Sequence, residues 1–282
     1  MLAQPVALSC TAETKTDPII LMNDKNKSTA LNCGLSIILP ALNEEDNLKP
    51  FVEEIVDYFD GICEKYEVIV VNDGSTDNTG ELARTLSIRY NNITVVHHSE
   101  RQGYGTSLKD GFHASRYDTI FFTDADRQFK IKSFDAFLPF LETKDVDMVI
   151  GYRIGRQDTI LRKCCAWVFN ILMRSLFSMS YKDINCAFKI FNKEAFECLD
   201  IKTVDSLFNV ELLAKATLKR LHIAQVGIKH YPRLQGKSSV AYRSIPLIVK
   251  QLFSLYREIN SFRKKILHKR YASTTIHKHS IT

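Results

Sequence analysis

From Leu35 onward the chain alternates short β-branched, apolar runs with longer amphipathic stretches, and this alternation restricts its folds more than any other feature. Leu35 to Leu39, Glu67 to Val71, Ile93 to Val96, Thr119 to Phe122 and Val146 to Ile150 read as buried strands. Helical patterns fall between them at about 45–59, 77–90, 104–116 and 133–142. The second half adds a long apolar helix at about 159–179, a strand near Ala187 to Phe191, a helix from Ser206 to Arg220 and a strand ending at His230-Tyr231-Pro232-Arg233. Such βα units predict an α/β fold with a mainly parallel, Rossmann-like sheet and helices on both faces. Sheets of this kind bind ligands at the carboxyl ends of their strands.

The flanks read differently. Residues 1–32 are polar and aperiodic, and are expected to be a loosely ordered leader to a single domain at 33–240. A basic amphipathic helical segment is expected at 241–270 and a flexible tail at 271–282. With 45% hydrophobic and 25% charged residues, the 282-residue chain excludes disorder, collagen and coiled coil. No apolar run approaches the roughly 18 residues of a spanning helix, and residues 1–20 lack a secretory pattern, so a cytoplasmic address is expected. Seven cysteines, without a C-x-x-C pair, read as reduced and mostly buried thiols, with Cys164-Cys165 packed on a helix.

Charge is concentrated at one end. Residues 243–282 hold nine Lys/Arg and one acidic residue, Glu258, a net of +8, while the remainder nets −2. Such asymmetry points to an anionic partner met by that end. There, Ile245, Ile248, Leu252, Leu255, Ile259, Phe262 and Ile266 recur every three or four residues, drawing one apolar stripe beside basic side chains. A helix of this type lies in a membrane interface or packs its stripe on the domain.

Three strand ends carry the chemistry. Asp124 and Asp126 follow Thr119-Ile120-Phe121-Phe122-Thr123, with Gln128 next in phase, and hard Mg²⁺ or Mn²⁺ ions take oxygen ligands of this kind. A turn or capping pair would also satisfy that spacing. Asn72-Asp73-Gly74-Ser75-Thr76-Asp77 enters a helix, with Thr76 or Asp77 available to cap it and Asp73 left to accept hydrogen bonds from a base or ribose. Gly103-Tyr104-Gly105 begins like a dinucleotide fingerprint but continues to Leu108 in place of the third glycine. No P-loop and no G-x-S-x-G elbow occurs. Arg153, Arg162, Lys163, Arg233 and Lys237 suit a phosphate site collectively, the guanidinium groups through bidentate contacts.

Ser36-Ile37-Ile38-Leu39-Pro40-Ala41-Leu42-Asn43-Glu44, Val70 to Asp77 and Asp124-Ala125-Asp126-Arg127-Gln128 resemble the successive motifs of family 2 glycosyltransferases with the GT-A fold, from about Leu35 to Ser239. Gly151-Tyr152-Arg153, Asp183 to Lys189, Phe208-Asn209-Val210-Glu211-Leu212 and Arg233 to Ser238 resemble most closely the dolichol-phosphate mannose synthase branch, which moves sugar from a nucleotide to a polyprenyl phosphate. The resemblance implies that Pro40, Leu42, Glu44, Val71, Asp73, Asp124 and Ala125 bind a GDP- or UDP-linked sugar. It implies that Asp124, Asp126 and Gln128 hold Mg²⁺ or Mn²⁺, that Arg153 and Arg233 meet phosphates and that Lys237 joins Arg233 at the acceptor phosphate. Leu42 stands where that branch usually has an aromatic residue, Ala187 replaces a Gly, and Ser239 replaces a Lys.

Inverting transfer follows from that likeness, with Asp126, Arg153 and Arg233 stabilising the departing diphosphate. An ionised phosphate acceptor needs no base, and Phe208-Asn209 stand where hydroxyl-acceptor relatives carry an acidic pair. For a hydroxyl acceptor, Asp183 and Glu211 are the candidate bases. The expected partners are therefore the nucleotide sugar, an undecaprenyl or dolichyl phosphate and, through the C-terminal helix, an anionic membrane at its cytoplasmic face; nucleic acid is not expected. The rivals are a soluble transferase acting on a saccharide or protein hydroxyl and a catalytically silent nucleotide-sugar-binding module.

Overall fold

The computed structural model of the protein describes residues 31, 34–143, 146–233 and 245–279. In chain order the first half comprises β1 (Leu35–Ala41), α1 (Glu45–Asp60), β2 (Tyr66–Asp73), α2 (Thr79–Arg89), β3 (Ile93–His98), α3 (Tyr104–Ala114) and β4 (Thr119–Phe122). A 3-10 turn at Ile131–Ala136 leads into α4 (Leu138–Thr143), where the sequence suggests one helix, and β5 (Met148–Ile154) follows. The second half adds α5 (Ile160–Phe177), β6 (Lys189–Asn192), α6 (Lys193–Glu197), α7 (Phe208–Lys219), β7 (Ile223–Lys229) and α8 (Ile245–His279).

The seven strands form one sheet in the order β3-β2-β1-β4-β6-β5-β7. Its parallel pairs are β1–β2, β1–β4, β2–β3 and β5–β7, while β6 runs antiparallel to both β4 and β5. The sheet is thus mixed, and the reversed strand is the feature that the alternation of elements could not reveal. Strand geometry sends successive side chains to opposite faces. Leu35, Ile37, Leu39, Val68 and Val70 accordingly join one buried cluster with α1, and Ile38, Ile69 and Val71 join another with α3, α5, α7 and α8.

Gly111 sets how closely α3 approaches the sheet. A Cβ there would fall 2.4 Å from Cγ2 of Ile38 on β1. The absence of a side chain lets the start of α3 reach the strand ends. α8 buries Leu255, Ile259 and Phe262 against the domain, each worth about 1.5–3 kcal/mol of apolar burial. Part of the C-terminal stripe is therefore core, while Lys250, Arg257, Lys264 and Lys265 are exposed.

Other expectations change with the coordinates. The helix continues through 271–279, where a tail was expected. Cys63 and Cys186 are buried, but Cys198 beyond α6 is exposed, and so are Cys164 and Cys165, because α5 turns much of its apolar surface outward. The leader apart from Leu31 lies outside the described residues, as do Lys237 and Ser239. Among the described residues no helix is long and apolar enough to cross a membrane.

Candidate active site

The ends of β1, β2 and β4, the start of α3 and the residue Arg233 beyond β7 converge on one cleft. Pro40, Ala41, Leu42, Glu44, Asp73, Asp124, Ala125, Asp126 and Arg233 line it, as do Arg101, Tyr104 and Ser107. Val71 lies beneath the cleft, fully buried in the sheet.

Local chain geometry fixes these groups. Asn43 adopts a left-handed φ of 55°, which short polar side chains tolerate, and its side-chain oxygen accepts from Thr76 N at 2.8 Å. Its own N–H donates to Ser75 Oγ at 3.0 Å, and Glu44 N–H donates to Thr79 Oγ1 at 2.8 Å, so the β1 and β2 loops are stitched together. Asp77 accepts from Thr79 N at 3.0 Å, closing the entry to α2. Asp73 is less open than its sequence position suggests. Its Oδ1 accepts from Gln102 N at 2.7 Å and its Oδ2 from Gly103 N at 3.0 Å.

Near the end of β4, Asp126 is buried and Asp124 half-buried, at the edge of the cleft. Burial raises both carboxyl groups above the usual range, and for Asp124 the charge of Asp126 adds to that effect. Asp126 Oδ1 accepts from Gln128 N at 3.1 Å, and its Oδ2 lies 3.8 Å from Arg233 Nη1. Arg233 also donates to Glu44, whose carboxyl is itself raised by burial in spite of hydrogen bonds from Asn47 and Arg233. Gln128 donates through its side-chain nitrogen to Tyr231 O at 3.4 Å, so its amide oxygen, an acceptor, takes no part in that bond. The backbone of Arg127 between them has φ 58°, a conformation that non-glycine residues adopt at some energetic cost.

Two carboxylates whose proton affinity is raised fit a divalent cation, because a cation restores the charge that desolvation removes. Their oxygens, with the amide oxygen of Gln128, are hard donors suited to Mg²⁺ or Mn²⁺. Among the described residues no group of three or more His, Cys, Asp or Glu could enclose an ion, so substrate phosphate or water oxygens would complete its shell.

Arg153 and Asp183 do not reach this cleft. They line a second pocket with Tyr152, Arg156, Lys163, Trp167, Arg174 and Lys182 at the foot of α5. Neither candidate base stands free. Asp183 is clasped by Arg153, Nε to Oδ2 at 2.6 Å and Nη2 to Oδ1 at 2.8 Å. Burial alone would raise its carboxyl, but the bonds and charge of Arg153 hold it below the usual range. Glu211 is fully buried in α7, 2.6 Å from Lys215 Nζ, and accepts from Lys202 N and Thr203 N.

Sequence reading passed over Arg101 and met Tyr104 and Ser107 only within the incomplete dinucleotide fingerprint. It also passed over Lys189 and His230, both buried. Lys189 is wholly enclosed, its pKa lowered to about 8 by burial, and donates to Ile184 O at 3.2 Å. Only its place opposite Phe122 in the β4–β6 register puts it behind Asp124.

Residues 36–200, more than half of the chain, match the model of glycosyl transferase family 2. The chain belongs to glycosyl transferase family 2. It is 27% identical over 215 residues to the glycosyltransferase AglD of Haloferax volcanii, spanning 73% of this chain and 34% of that protein. With a dolichyl-phosphate beta-glucosyltransferase of Dictyostelium discoideum it shares 28% identity over 225 residues, or 72% of this chain and 68% of the relative. This chain therefore spans about a third of the first relative's length and about two thirds of the second's. Glucosyl-3-phosphoglycerate synthase of Mycobacterium tuberculosis, solved with Mn²⁺, UDP and glucosyl-3-phosphoglycerate, superposes with a TM-score of 0.58 at 20% identity, covering 82% and 78% of the two chains. The family 2 chain has the GT-A fold.

Proposed function

We propose that this glycosyltransferase moves a sugar, with inversion, from a GDP- or UDP-linked donor to a polyprenyl phosphate at a membrane surface. One observation carries the reading: the pocket holding Arg153 is basic, lacks an unpaired carboxylate, and opens beside an exposed apolar helix. A phosphate acceptor is ionised near neutral pH and requires no base, so the engagement of Asp183 and Glu211 is compatible with it. A hydroxyl acceptor would need one of them released.

The donor would lie along the first cleft, with Pro40, Leu42 and Asp73 toward its nucleoside. Asp124, Asp126 and Gln128 would hold Mg²⁺ or Mn²⁺, which supplies charge stabilisation to the departing diphosphate. Arg233, released from Glu44 toward phosphate, contributes a delocalised cation with paired donors. Lys189, held behind Asp124, would add positive charge when protonated. Arg153 is oriented by Asp183 and stays cationic, its protonated form favoured by that pairing although burial opposes it.

The apolar face of α5 supports the lipid part of the reading. Ile160, Leu161, Trp167 and Val168 are exposed there, Trp167 by 67%, flanked by Arg162 and Lys163. An apolar surface edged with cations suits the boundary between acyl chains and anionic headgroups. The C-terminal helix would add charge to that contact. The Dictyostelium relative's name agrees with a polyprenyl acceptor.

Purified protein incubated with labelled nucleotide sugars, undecaprenyl or dolichyl phosphate and Mn²⁺ is expected to deliver label to the organic phase. Label found only on a water-soluble saccharide or protein acceptor would replace this reading with that of a soluble transferase. Failure to cleave or transfer any donor would favour the binding module.

A further inference from the structure

His98 ends β3 and sits between carboxylates supplied by two other elements. Its Nδ1 is 2.8 Å from Asp73 Oδ1 on β2, and its Nε2 is 3.0 Å from Asp110 Oδ2 on α3. Ionised carboxylates only accept hydrogen bonds, so each ring nitrogen is placed to donate to one of them. Its side chain is 5% exposed, as is nearly true of Asp73 at 6%, while that of Asp110 is 40% exposed.

The bridge has a direction. Asp73 borders the donor cleft, and besides His98 it accepts the backbone N–H groups of Gln102 and Gly103. These donors belong to the loop that carries Arg101 to the same cleft. Gly74 has φ +64°, and a Cβ there would fall 2.4 Å from the carbonyl carbon of Glu100, so loop and strand end meet without space for a side chain. Desolvating the Asp73 carboxylate here requires a nearby cation or several donors. The loop supplies two neutral amides, and the His98 ring is placed as the third donor.

We propose that His98, backed by Asp110, is a positioning residue for the nucleoside half of the donor. It holds the Asp73 carboxylate and the Arg101 loop in the arrangement that receives base and ribose, and it acts without touching the diphosphate. The assignment rests on the donor-cleft reading above. Its consequence is selective: nucleoside affinity depends on His98, whereas pyrophosphate affinity depends on Asp124, Asp126 and Arg233.

Isothermal titration of the full chain with UDP, GDP and inorganic pyrophosphate, each with Mn²⁺, tests this. His98→Gln is expected to weaken the preferred nucleoside diphosphate about tenfold, the scale of one lost charge-assisted bond, and to leave pyrophosphate unchanged. Turnover should show donor KM rising to match while kcat holds within about twofold. Asp110→Asn keeps an acceptor but removes the charge, and is expected to lose about threefold in the same selective manner. In the wild-type protein both His98 ring nitrogens should give protonated ¹⁵N shifts; one unprotonated nitrogen would overturn the bridge. If the wild type binds a nucleoside diphosphate and both variants bind it equally, or lose pyrophosphate in parallel, the assignment to His98 alone falls. If the wild type binds no nucleoside diphosphate, the donor-cleft reading falls and takes the assignment with it. Should His98→Gln lack a cooperative melt, Asp110→Asn decides, through selective loss or unchanged affinity.

Discussion

Two partly desolvated carboxylates beside each other resist ionising together unless a cation lies against them, and Asp124 and Asp126 are in that situation. Asp126→Asn, which preserves volume and one oxygen, should therefore lose Mn²⁺ binding by electron paramagnetic resonance and reduce transfer on the order of hundredfold. Undiminished turnover in excess chelator would remove the ion from the reaction. A second residue gives a pH-dependent stability. Burial, aided by the charge of Arg153, lowers His230 to about 4 from the ordinary 6.5. The unfolded chain then binds more protons between those two values, so the folded state loses stability as pH falls from about 6.5 to 4. Urea midpoints measured across this window should decline less steeply in His230→Gln than in the wild type; parallel declines would assign the acid sensitivity to other groups. These residues differ in how legible they were. Asp124 and Asp126 could be named as candidates because they directly follow an apolar strand, but His98 and Lys189 depend on which strand lies beside which, and no local pattern encodes that.

At the scale of elements, the strands and helices could be read because β-branched runs and helical periodicity are local signals, and β1 to β4 arise close to where the sequence places them. The reversal of β6 could not be read in this way, since a four-residue strand carries no mark of its direction. The same locality misled at α5. Its apolar composition suggests burial, yet among its residues Asn170, Met173 and Phe177 are the buried ones and Trp167 is open. Trp167→Glu should accordingly leave the melting temperature within about 2 °C, as surface substitutions usually do, but weaken binding to anionic liposomes in flotation assays. Equal flotation of variant and wild type would detach α5 from the lipid contact. Gly111→Val tests the opposite kind of contact. With Ile38 only 2.4 Å from the added Cβ, α3 must move off β1, and a loss of about 1–3 kcal/mol in denaturant unfolding is expected.

Over the whole molecule, α8 is core on one side and basic on the other, so packing on the domain and a membrane contact are compatible. Its buried side is core: Leu255, Ile259 and Phe262 pack on the domain, and the ring of Tyr256 lies 6.3 Å from that of Phe177 at the end of α5. Beneath it, fully buried Lys215 lies 2.6 Å from Glu211 on its own helix and 3.0 Å from Glu258 of α8, with the ring of Phe262 4.8 Å away. Removing one member of a buried pair leaves the other without compensation, at a cost of about 3–5 kcal/mol. Lys215→Met should approach that range because it strands Glu211. Glu258→Gln should cost less, since Glu258 is one-third exposed and Lys215 keeps its bond to Glu211. Deleting α8 would consequently unfold as well as detach, so membrane contact must be examined on its exposed side. Reversing charge at Lys264 and Lys265, both exposed, removes two attractions of about 1 kcal/mol each near an anionic surface. The double variant Lys264→Glu with Lys265→Glu should melt like the wild type, float less with anionic liposomes and lose its difference from wild type in raised salt. Unaltered flotation at low salt, alongside weakened flotation in Trp167→Glu, would assign the membrane contact to α5 and leave α8 as a strut of the domain.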